Sequence, residues 1–198
     1  MPNPRMMAIG LRQLALITAL AVAALLLALA GSPMAPAASA DACAKWGDRE
    51  PQAITRDQAR KATLCFVNRE RTSRGINGLD NHNKLQKPAQ RHTDEMRGTG
   101  CFAHECPGEG SLTDRLEAFD YLANGLTQWM YAENVAWGMG NRGTPRSIVD
   151  AWMNSSGHRA NILNRGFRDA GVGVVPGTPS SKNASGGIYT IDFGLAVG

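Results

Sequence analysis

Between Asp169 and Gly194 the chain changes its hydrophobic period, and that change narrows the folds open to it. Asp169-Ala170-Gly171-Val172-Gly173-Val174-Val175 and Gly187-Ile188-Tyr189-Thr190-Ile191-Asp192-Phe193-Gly194 read as strands joined by a Gly/Ser/Pro/Asn-rich loop, Pro176 to Gly186. Upstream the apolar residues mostly recur at helical spacing. Thr55-Arg56-Asp57-Gln58 reads as a capping box for a helix reaching Gly75, with Ala59, Ala62, Phe66 and Val67 as its inner stripe. A second helix is expected from Leu85 to Arg97, with Pro88 either in its first turn or kinking it. Ser111 starts a short third helix through Phe119, and Thr144-Pro145 starts another whose inner face is Ile148, Val149, Trp152 and Met153. A strand is expected around Asn134 to Trp137. Helices first and strands last argue an α+β domain, an antiparallel sheet covered by helices.

Residues 1–40 read as an export signal: Arg5 and Arg12 precede the apolar run Leu14 to Ala30, and Ala38-Ser39-Ala40 is a cleavage site of A-x-A type. The apolar run is short for a bilayer span, so no stable membrane span is expected after cleavage. Residues 41–54 then form an irregular lead, and 55–198 the folded domain. The whole chain has 21 Lys and Arg against 17 Asp and Glu, and with Arg5 and Arg12 in the leader the exported part stands near +2. Such a scattered, near-balanced charge gives no footprint for nucleic acid. All four cysteines lie in the exported part. In an oxidising compartment they suggest two disulfides; of the three pairings that four cysteines allow, the favoured one has Cys101–Cys106 as a loop clip and Cys43–Cys65 as a tether of the lead. No C-x-x-C spacing favours zinc instead.

The run Asn154-Ser155-Ser156-Gly157-His158-Arg159 ends one helix and starts the next. With Ser156 read as the N-cap, His158 falls in a first turn whose free N–H groups disfavour a positive imidazole. A neutral imidazole ligates metal or accepts a proton, although a histidine at such a junction is often only a turn residue.

In company, this run gains meaning. Phe102-Ala103-His104, Glu133-Asn134-Val135-Ala136, Trp152 through Arg159, Gly171-Val172-Gly173 and Phe193-Gly194 stand in an order that resembles the CAP superfamily, also called the SCP domain, and most closely its bacterial secreted branch. The resemblance implies an α-β-α sandwich with a central cleft where His104, Glu133 and His158 meet. Two imidazoles and a carboxylate form an open mixed site for a divalent cation such as zinc. Animal and plant members add a second glutamate near the position of Ser155, and its loss makes the expected cation weakly held. His92, on a helix face beside Ala89 and Met96, reads as structural. Trp129, Tyr131 and Trp137 fit either the core or a cleft rim, with core the default reading.

Two functions follow from these residues. One is a secreted binding module whose His104–Glu133–His158 cleft weakly holds a divalent cation and takes a lipid, glycan or peptide ligand, or a partner in the cell envelope. The other is a secreted hydrolase in which Glu133 orients His158 to activate Ser155, Ser156 or a metal-bound water. Neither serine lies in a nucleophile elbow, which favours the binding module over an enzyme.

Overall fold

The computed structural model describes residues 37–198, with side chains from Ala42 onward; residues 1–36, most of the expected leader, lie outside the described residues. The first element corrects the expectation of an irregular lead. α1, Ala37–Trp46, is an alanine-rich helix, and a single 3-10 turn follows at Pro51–Ala53. Short helices need tertiary support, and α1 has it: Cys43 is bonded to Cys65, and Ala42 and Cys43 are buried in the same apolar cluster as Phe66.

α2, Arg56–Thr72, begins at the expected capping box, where the Gln58 N–H donates to Thr55 Oγ1 and the Thr55 N–H to Gln58 Oε1. The turn-rich connection after it contains β1, Asp80–Asn81, and leads to α3, Asn83–Thr99. α3 starts earlier than expected because His82 caps it, its Nδ1 accepting from the Lys84 N–H at 3.3 Å. Pro88 therefore lies past the first turn, where its missing N–H leaves the Lys84 carbonyl without its helical donor. α4, Leu112–Ala118, has its own capping box through Ser111 and Asp114. The strand expected at Asn134 to Trp137 is much longer: β2 spans Gln128–Met139. Two more helices, α5 at Pro145–Asn154 and α6 at Ser156–Ile162, precede β3, Asp169–Pro176, and β4, Gly186–Val197.

The sheet order is β1-β3-β4-β2, with β1 parallel to β3 and the other pairs antiparallel. Alternation sends Val172, Val174, Tyr189, Ile191 and Phe193 to one face, where they pack with Phe66, Val67, Ile148 and Trp152 of α2 and α5. Val135, Val175 and Ile188 face the other way, toward Met96 of α3 and Cys106. A sheet with helices on both faces is the sandwich that the sequence resemblance implies. Among the described residues no helix is long and apolar enough to cross a membrane.

Gly171 and Gly173 set how closely α3 approaches the sheet. A Cβ at Gly171 would lie 2.0 Å from the Gln86 nitrogen, and one at Gly173 would lie 2.3 Å from the Ala89 oxygen. Both obstacles are helix backbone, which no rotamer change can move aside. Gly171→Ala is therefore expected to push α3 outward and cost about 2 kcal/mol or more. A lowered urea midpoint at unchanged slope checks this; an unaltered midpoint refutes it.

Candidate functional site

β2 is an edge strand, and two adjacent residues on it, Glu133 and Asn134, point to opposite faces of the sheet. On the α3 face, Glu133 Oε1 accepts from His104 Nδ1 at 2.8 Å, and its Oε2 accepts from Arg115 Nη2 at 2.5 Å. On the other face, Asn134 Nδ2 donates to the His158 carbonyl at 3.0 Å, and Asn161 Nδ2 donates to Asn134 Oδ1 at 2.9 Å. These bonds tie α6 to the strand. The Glu-Asn element thus gathers one histidine segment from each side over the open edge.

His104 is the exposed end of a buried chain. Its side chain is 62% exposed while those of Glu133 and Arg115 are each 2% exposed, so the ring stands in solvent on a fixed base. Arg115 Nη1 also donates to the His104 carbonyl at 3.0 Å, which holds the backbone of the same residue. The disulfide Cys101–Cys106 closes this loop, as expected. The hydrogen bond to Glu133 raises the pKa of His104 above the ordinary histidine value, against the opposing effect of burial.

His158 behaves in the opposite way. Burial lowers its pKa, and the nearby charge on His104 lowers it further. Both effects favour the neutral imidazole, through burial and a neighbouring cation. The cap also differs from the expectation. Ser155, not Ser156, occupies the N-cap position of α6, and it makes no side-chain cap bond.

Behind this pair lies a buried ionic cluster of which the sequence reading found only part. His92, expected to be structural, is fully buried, with Nδ1 2.7 Å from Glu109 Oε2 and Nε2 donating to the Ala103 carbonyl at 3.0 Å. Glu109 Oε2 is also 3.8 Å from Arg115 Nη1. Asp192 is the register partner of Glu133 on β4 and has no exposure. The Val135 and Glu133 carbonyls are taken by side chains of α5 and α6, which marks the odd residues of β2 as facing away from β4. Glu133 and Asp192 therefore form a non-hydrogen-bonded pair, the kind in which cross-strand side chains come closest. Burial, then the Glu133 charge, push the Asp192 carboxyl well above its ordinary range. Neither of its two oxygens finds a donor, which favours the neutral carboxyl beside the Glu133 charge.

Glu109, Arg115 and Asp192 were missed because charged residues without a motif read as solvated. Asp192 did carry a signal, since it interrupts the apolar run Ile191-Asp192-Phe193 in what proves a central strand. Trp129 and Trp137 correct the expectation of core residues: they are 56% and 42% exposed. Tyr131 is partly buried, its hydroxyl 2.7 Å from Thr113 Oγ1. The hollow between α2 and α3, lined by Arg60, Gln90 and Asp94, shares no residue with the site.

The order Phe-Ala-His, Glu-Asn and Ser-Gly-His-Arg, folded in this way, has counterparts. A model of the cysteine-rich secretory protein family, CAP, matches residues 64–193. The chain belongs to that family. As a CAP protein it is 35% identical over 133 residues to the YkwD protein of Bacillus subtilis strain 168, covering 67% of this chain and 46% of that one. It is 32% identical over 115 residues to the membrane protein YlbC of the same strain, covering 58% and 31%. The chain thus spans less than half the length of either relative.

Solved structures share the fold. An extracellular protein containing an SCP domain from Bacillus anthracis superposes with a TM-score of 0.55 at 24% identity, covering 71% of this chain and 43% of that one. An outer surface protein of Borrelia burgdorferi gives 0.59 at 19% identity, covering 72% and 96%.

The expected cation ligands do not form a three-residue set. Among the described residues no group of three or more His, Cys, Asp and Glu side chains is arranged to hold a metal ion. Glu133 shows why: one oxygen is held by His104 and the other by a guanidinium. The hydrolase reading needs a similar correction, because Glu133 orients His104 where His158 was expected.

Proposed function

We propose that this CAP protein is an exported binding module whose cleft is centred on the imidazoles of His104 and His158. The observation that carries the reading is the chain Arg115–Glu133–His104, two buried members presenting one exposed ring. A site built this way fixes its contact atom before a ligand arrives, which lowers the ordering cost of binding. Export is supported by the leader-like residues 1–40 and by the two disulfides, which persist in oxidising compartments.

A divalent cation fits this arrangement as a weakly held guest. His104 Nε2 and the His158 ring would be its donors. Glu133 would act behind His104, since a carboxylate on the far nitrogen orients a metal-binding imidazole and raises its basicity. When bound, such a cation supplies positive charge and open positions for oxygen ligands. Two protein donors make the affinity low, and the remaining positions suit a polar group of a lipid, glycan or peptide. The raised pKa of His104 sets the pH dependence, because the ring must lose its proton to bind metal.

Zinc titration followed by ring NMR signals tests the reading. His104 and His158 are expected to shift together at pH 8, and the response is expected to fade at pH 6. His104→Ala/His158→Ala should abolish it while the melting temperature of the metal-free protein stays within a few degrees. An unchanged zinc response in the double variant overturns the proposal.

A further inference from the structure

On the α2 face, away from Glu133 and His104, three arginines converge around one loop. Arg71 of α2 is fully buried, and residues 162–167 wrap around it. Its Nη1 donates to the Ile162 and Asn164 carbonyls at 2.7 and 2.8 Å, and its Nη2 to Phe167 at 3.2 Å. Arg165 and Arg168 lie on the same loop, both exposed. Their charges reach Arg71, which they repel.

Neither exposed guanidinium is spent on a carboxylate. Among the described residues Arg71, Arg165 and Arg168 make no salt bridge. Arg165 Nη1 donates to the Gly75 carbonyl at 3.2 Å. Arg168 Nη1 donates to the carbonyls of Arg165, Gly166 and Phe167 at 2.7, 3.2 and 3.0 Å. Each guanidinium is thus pinned through one nitrogen, and among the described residues its other donors make no hydrogen bond. The adjacent carboxylate, Asp169, accepts from the Tyr121 hydroxyl at 3.1 Å. Arg74 is neutralised by Glu70 at 2.6 Å, so it adds no net charge.

We propose that Arg165 and Arg168, backed by the buried Arg71, form a binding site for a phosphate-type oxyanion. Charge complementarity supports the ligand class: like charges held together without a counter-ion are relieved by a multivalent anion. The planar guanidinium fork matches phosphate oxygens in a way that a lysine cluster would not. The loop is already anchored, so little order is lost on binding.

The phosphate could belong to a soluble molecule or to a lipid headgroup, and two probes separate these sources. Pyrophosphate is titrated into the protein by calorimetry. In parallel, co-sedimentation is measured with vesicles of phosphatidylglycerol and phosphatidylcholine against phosphatidylcholine alone. At least one anionic probe is expected to bind, at least tenfold more weakly in Arg165→Gln/Arg168→Gln and more weakly in high salt. The charge-matched control Arg142→Gln/Lys182→Gln, exposed residues outside this loop, is expected to bind as the parent does. Binding of pyrophosphate assigns a soluble phosphate, and binding of anionic vesicles alone assigns a headgroup. No binding by the parent, or equal loss in both double variants, overturns the proposal.

Discussion

Arg71→Met is expected to destabilise the protein by roughly 4 kcal/mol, a large share of the 5–15 kcal/mol typical of a whole domain. The arginine spans four backbone carbonyls: Nε donates to Asn77 at 2.8 Å, and the terminal nitrogens reach Ile162, Asn164 and Phe167. These carbonyls belong to the turn after α2, to the last residue of α6 and to the loop linking α6 to β3. One side chain therefore closes two connections that have little regular structure of their own.

Two effects oppose each other at this position. Burial, followed by Arg168 and Arg165, pushes the Arg71 pKa down to about 10, so the charge itself is unfavourable there. Methionine removes that penalty and keeps much of the volume. Against this, each buried carbonyl left without a donor costs about 1–3 kcal/mol, and those of Asn77, Ile162 and Asn164 lose theirs together, while Phe167 keeps its bond from Arg168. The orphaned carbonyls win even if water reaches some of them. Arg71→Lys is expected to fall between, since an ammonium keeps the charge but cannot span four acceptors. Urea unfolding checks the order parent, lysine, methionine. A methionine variant within 1 kcal/mol of the parent would show that the carbonyls find water at no cost.

Some of this architecture is legible in the sequence, and the legible parts are local. The helix starts at Thr55 and Ser111 are contained in four residues each, and both form as read. Asp120, at a turn that needs a left-handed residue, has φ 58°. That there are two disulfides follows from count and compartment, and their pairing is the favoured one of three. What escapes is whatever depends on register. Glu133 meets Asp192 only because β2 and β4 pair so that the two lie opposite, and a shift of one residue would part them. Arg115 reads as an ordinary surface residue of a short helix until the Cys101–Cys106 loop and β2 close over it. The tryptophans fail for a related reason: strand-forming aromatics read as core, yet the outer positions of an edge strand leave Trp129 and Trp137 in solvent.

Glu133→Gln tests the site at the point where its charges meet. The variant keeps size and shape but leaves the buried Arg115 with Glu109 at 3.8 Å as its nearest carboxylate. Removing one partner of a buried ion pair costs about 3–5 kcal/mol, because the remaining charge stays desolvated. The loss is expected to have two parts with different pH behaviour. The Arg115 part persists at every working pH, because a guanidinium keeps its charge. The His104 part does titrate. The folded pKa of His104 is raised by its bond to Glu133, so its stabilisation is fully present below the unfolded value of about 6.5 and is lost as pH rises through the folded pKa. The gap between parent and variant should therefore be widest near pH 5.5 and narrow to a constant remainder near pH 8.5. The narrowing is small, since His104 is mostly exposed and its pair is screened by solvent. In the same variant the His104 ring is expected to titrate lower than in the parent, and its zinc response to weaken. Urea unfolding at the two pH values and an NMR titration of the ring read both parts separately. If His104 titrates at the same pH in parent and variant, Glu133 does not hold the ring, and the buried chain from Arg115 serves the fold alone.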